Sequence, residues 1–154
     1  MTDSVEPQEL LRNARSILLI DWPSRDVPDT LAKSGFAVVT DAGRGRGYVS
    51  HEFDGNAVVM RKVDALPALA EIVYAHRPID ELPFILERAS AVHATAIWLQ
   101  SGRDAAGNRD PKACWLSPDD SRRAREIVES AGLNYIENAY IADAARSLGA
   151  SPRS

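Results

Sequence analysis

Apolar residues fall along the chain in short uninterrupted runs, and between the runs they recur at helical spacing. SILLID (16–21) and FAVVT (36–40) are continuous rather than alternating, the pattern of strands buried on both faces. AEIVYAH (70–76) and ATAIWLQ (94–100) repeat it, NAVVMRKV (56–63) does so more weakly, and NYIEN (134–138) supplies a last strand. VPDTLAKSG predicts a short helix, with Pro28 in its first turn and Gly35 as a left-handed stop. PIDELPFILERASAV (78–92) sets Leu82, Ile85, Leu86 and Ala89 at helical spacing, and Pro83 lies early enough for its missing N–H to be tolerated. SPDDSRRAREIVESAG opens with Ser117 as N-cap, Pro118 at the first helical position, and Asp119 and Asp120 beside the positive dipole end. Gly132 ends that helix, and AYIADAARSLG predicts a closing one.

Strands alternating with helices predict an α/β domain, a parallel sheet of about five strands with helices on both faces and right-handed crossovers. The domain is expected over residues 16–149, after a helical N-terminal segment (1–15) and before a frayed tail (150–154). In open α/β sheets, ligands sit at the carboxyl ends of the strands, near the reversal of strand order. Four loops should therefore share one rim: DWPSRD, DAGRGRG, HRP and QSG.

Composition narrows the function classes. The 154 residues, 45% hydrophobic and 26% charged, suit one globular domain with a sizeable core. A net charge of −4 and a pI near 5.4 argue against a general nucleic-acid surface, which would be basic. The single cysteine, Cys114, cannot form an internal disulfide, which fits a reducing cytoplasm. No apolar run approaches the roughly 20 residues of a membrane span, and the acidic, amphipathic start of the chain is unlike a secretory leader. His51 and His93 stand apart, no His/Cys/Asp cluster has metal spacing, and no metal is expected.

The loops carry the candidate chemistry. DWPSRD lacks the glycines that bring backbone against a pyrophosphate. Asp26 and Asp29 look like an N-cap and a first-turn acid, occupying the orphan N–H groups and repelling phosphate. Ser24 and Arg25 point the other way, because a hydroxyl and a guanidinium can replace lost backbone contacts. Trp22 offers a face for stacking or for packing. In the second loop, Gly43, Gly45 and Gly47 alternate with Arg44 and Arg46, joining close backbone approach to forked donors; the alternative is a solvated, hairpin-like loop. His76 is a candidate base without a Ser or Cys nucleophile at recognisable spacing, and Arg77 a candidate anion donor. Gly102 permits backbone contact to a ligand or simply makes a turn. RDAAGNRDPKACW (103–115) reads as a surface insertion, serving as a lid or an oligomer contact.

Taken in order, these stretches resemble the small CoA-binding-domain proteins, a Rossmann-like group related to the CoA-binding domain of the succinyl-CoA synthetase α subunit. The likeness runs from about Ser16 to Gly149. AEIVYAHRPIDELPFILERA is similar to the family's strand, arginine–proline loop and helix, and AIWLQSG to its tryptophan–leucine–glutamine–x–glycine turn. AREIVESAGLNYIENAYI is similar to the closing helix–strand–helix, and GFAVVTDAGRGRG to the second strand and glycine–basic loop. IDWPSRDVP departs from the family's first loop, and ENAY from the aspartate, basic residue and cysteine of its last strand end. The resemblance implies a three-layer Rossmann-like parallel sheet with CoA or acyl-CoA at the strand rim, its phosphates near the first loop. It also implies a cofactor-binding role for Ser24, Arg25, Thr40, Arg44, Arg46, His76, Arg77 and Gly102. Nothing matches the catalytic histidine loop of the synthetases, so no catalytic residue is assigned. The expected function is non-enzymatic binding of CoA, acyl-CoA or a related nucleotide. The alternatives are a degenerate scaffold acting through protein partners and an enzyme acting on a CoA thioester with His76 as base. A small nucleotide-type ligand is the expected partner, with neither nucleic acid nor membrane; a homo-oligomer is left open.

Overall fold

A strand without polar alternation needs cover on both faces, and three such strands make the centre of the molecule: β1 (Ser16–Ile20), β5 (Ile72–Ala75) and β6 (Ala96–Leu99). The structure, a computed structural model, describes residues 6–41, 47–137 and 139–148. Its other strands are β2 (Ala37–Asp41), β3 (Tyr48–Phe53), β4 (Val58–Val63) and β7 (Asn134–Ile136). The helices are α1 (Pro7–Asn13), α2 (Asp26–Lys33), α3 (Leu82–Ala91), α4 (Pro118–Ser130) and α5 (Ile141–Arg146). Gly149 and the tail at 150–154 lie outside the described residues.

All seven strands join one sheet in the order β4-β3-β2-β1-β5-β6-β7. The expected all-parallel sheet needs correction. The five strands β2-β1-β5-β6-β7 are parallel, but β3 and β4 form an antiparallel hairpin on the outer side of β2. The reason is chain length: residues 42–47 between β2 and β3 are too few for a crossover, which takes a dozen or more. Residues 48–53, expected within a loop, are strand for the same reason. β4 is the outer edge, with Met60, Arg61 and Lys62 exposed.

Successive residues of the central strands feed two cores. Ile17, Leu19, Tyr74 and Trp98 pack with Leu11 of α1, Leu31 of α2 and Ile141 of α5. Leu18, Val73, Ile97 and Leu99 pack with Ile85 of α3 and Val128 of α4. Helices therefore lie on both faces. Local chemistry sets their ends: Ser117 Oγ accepts the Asp120 N–H at 3.1 Å, capping α4, and Gly35 and Gly132 turn left-handed at φ 96° and 81°. Trp98, fully buried, donates its indole N–H to the Ala139 carbonyl at 2.9 Å and so ties the sheet to the start of α5. The chain leaves β1 toward β2 on one side and returns to β5 on the other. Strand order reverses between β1 and β5.

Candidate functional site

A cavity of about 910 Å³ opens at that reversal, among the loops that follow β1, β5 and β6. Its fourth wall is the 103–115 insertion.

The first loop turns without a glycine because Asp21 takes the left-handed conformation itself, at φ 61°. Aspartate visits that region more readily than most residues, since its short side chain bonds locally. Here Oδ1 accepts the Trp22 N–H at 2.9 Å, while Oδ2 accepts from Arg77 Nη1 at 3.1 Å. Trp22 and Pro23 follow on the cavity wall.

After β5, His76 points the Cε1 edge of its ring at Gly102. A Cβ on Gly102 would stand 2.3 Å from His76 Cε1, and the glycine's φ is 70°. Burial lowers the His76 pKa from its ordinary 6.5, with Asp21 opposing and Arg77 reinforcing, so the ring is neutral at pH 7. Its Nδ1 is buried with no hydrogen-bond partner among the described residues. Arg77 has its fork filled: Nε and Nη2 donate to the Glu81 carboxylate and Nη1 to Asp21.

The insertion is a bonded structure. Gln100, fully buried at the end of β6, accepts from the Tyr74 hydroxyl and donates Nε2 to the Pro111 carbonyl at 2.6 Å. Gly102 donates to the Ala113 carbonyl and Trp115 to that of Arg103, each at 3.0 Å. Burial pushes the Cys114 thiol up to about 12, which leaves it protonated and unreactive at neutral pH.

Of the residues expected at the site, His76, Arg77 and Gly102 meet on this cavity. Ser24 and Arg25 belong to the same rim but do not line it; the Arg25 guanidinium lies 3.9 Å from Asp29. Thr40 takes an interior position and does not line the cavity. It is buried on the α2 face, sharing a 3.1 Å hydrogen bond with His51 Nε2, because it pairs in register with the core residue Leu19. Arg44 and Arg46, with Gly43 and Gly45, lie outside the described residues. The self-capped first helix is also corrected. No side chain caps α2, and the Asp26 carboxylate instead accepts from Tyr140 at 2.8 Å and Arg146 at 2.9 Å. Tertiary partners more than a hundred residues away outcompete the local cap.

Among the cavity residues to which sequence reasoning gave no site role are Arg103, Arg109 and Trp115. The signal was there, two arginines flanking a turn-prone Asp-Ala-Ala-Gly-Asn, which predicts a small hairpin. Among the described residues, no group of His, Cys, Asp or Glu can hold a metal ion, and no helix is long and apolar enough to cross a membrane. Neither a protein-family model, nor a curated protein, nor a solved structure matches the chain.

Proposed function

We propose that the protein binds CoA or an acyl-CoA in this cavity, reversibly and without chemistry, on a Rossmann-like sheet. The observation that carries the proposal is the meeting of three loops and an insertion around one cavity at the strand-order reversal. Its volume of about 910 Å³ falls in the range of small-molecule sites, roughly 300–1,000 Å³. Trp22 and Trp115 supply apolar faces for a planar group. The similarity of the HRP and QSG loops to those of CoA-binding domains gives the ligand class. His76, Arg77 and Gly102 are the proposed contacts, and the cofactor-binding role that the resemblance implies for Ser24, Arg25, Arg44 and Arg46 is kept as part of the proposal. Thr40, buried and bonded to His51, is not among the proposed contacts. Catalysis is not assigned, since His76 has no hydrogen-bonded Ser or Cys to activate among the described residues. The scaffold alternative loses one of its two motives, because α2 carries no side-chain cap, and keeps the other, the missing glycines of the first loop.

Isothermal titration of the full chain with CoA and acetyl-CoA tests this. Saturable heat is expected, and ligand at 100 times its Kd should stabilise the fold by about 2.7 kcal/mol. Neither heat nor a shift in unfolding temperature at millimolar CoA would overturn the proposal.

A further inference from the structure

Two guanidiniums of the insertion, those of Arg103 and Arg109, make no ion pair among the described residues. Arg103 and Arg109 face each other across an isolated antiparallel bridge. The flanking bonds, Asp110 N–H to the Gly102 carbonyl and Asp104 N–H to the Asn108 carbonyl, are both 3.0 Å and make Arg103 and Arg109 a non-hydrogen-bonded pair. Such pairs stand closest, with Cα atoms ~4.5 Å apart and side chains on one face. Like charges set directly opposite repel.

Both arginines line the cavity, and the other charges on its wall are largely engaged. Arg77 is held by Asp21 and Glu81, Asp120 by Arg123, and one Asp110 oxygen by the Lys112 N–H. Arg103 donates only to the Gly107 carbonyl, at 3.3 Å, and Arg109 makes no ion pair among the described residues.

We propose that Arg103 and Arg109 form the phosphate grip of this cavity, an anion subsite for a diphosphate or phosphomonoester built by the insertion. The proposal rests on the ligand-binding reading above. The loop after β1 is less suited to the task, since the Asp21 carboxylate at its start already occupies Arg77, whose Nε and Nη2 donate to Glu81. Two adjacent forked donors match the oxygens of a diphosphate, and binding one relieves the repulsion within the pair.

The test compares Arg103→Gln, Arg109→Gln and the double variant of the full chain, with Lys33→Gln on α2 as a distant control. The probes are CoA and inorganic pyrophosphate, followed by titration and thermal shift. Both side chains are exposed, and an unchanged unfolding midpoint without ligand verifies the fold. CoA affinity is expected to fall about tenfold in each single variant and about a hundredfold in the double, with no change in the control. Pyrophosphate should stabilise the wild type but not the double variant. CoA binding that the double variant leaves intact overturns the grip while the cofactor reading stands. Pyrophosphate binding through these arginines without CoA binding has the opposite meaning. Binding of neither probe overturns both.

Discussion

Gly102 has no room for a side chain, and its neighbour explains why. The imidazole of His76 occupies the space where a Cβ would go, and the backbone sits in the left-handed region at φ 70°. Gly102→Ala therefore combines conformational strain with displacement of the ring. It should cost about 1–3 kcal/mol, read as a lower urea midpoint with an unchanged slope. Asp21 is the converse case, a residue with a side chain held where glycine is usual, its carboxylate engaged on both oxygens. The sequence made Gly102, His76 and Arg77 legible as neighbours on a rim, because their loops follow consecutive strands of one parallel sheet. It did not make the occupied fork of Arg77 legible. One of the partners, Asp21, lies 56 positions away, a pairing that only the strand order creates.

At the scale of elements, the insertion is held by its root. Gln100 joins Tyr74 in the core to the Pro111 carbonyl, so the wall of the cavity hangs from a fully buried amide. Gln100→Ala removes both bonds and leaves the Tyr74 hydroxyl without its acceptor. A loss of about 1–3 kcal/mol is expected, with faster amide hydrogen exchange across 103–115 and little change in α4. Slow exchange there in the variant would show that the insertion holds itself. The parallel strands and their helices were readable from periodicity, since burial on both faces leaves an unbroken apolar run. The β3 strand was not, because glycines and charges around it mask a half-exposed edge pattern. The insertion was recognised by length but not by role, since nothing local distinguishes an arginine facing a cavity from one facing water.

For the whole molecule, acid acts on several groups in one direction. Burial depresses the pKa of His51 and of His76 below the ordinary 6.5, and the Arg146 hydrogen bond holds Asp26 below 3.8. In each case the unfolded chain binds protons more readily than the folded one. The histidine contribution is fully present above pH 6.5 and is lost as the pH falls through the depressed folded values; that of Asp26 follows below 3.8. Urea unfolding should therefore give a lower free energy at pH 5.5 than at pH 7.5. His51→Gln should flatten that difference, and an unchanged slope in the variant would remove His51 from the account.

The hairpin that ends in β4 leaves a row of main-chain donors and acceptors on its outer side, unpaired among the described strands. A bare rim of that kind invites a second molecule to extend the ladder, the first step toward fibrous growth. Successive residues Arg61 and Lys62 send positive charge to opposite faces of the strand. An approaching copy thus meets electrostatic resistance whichever way it tilts, and the ladder ends where the chain ends it.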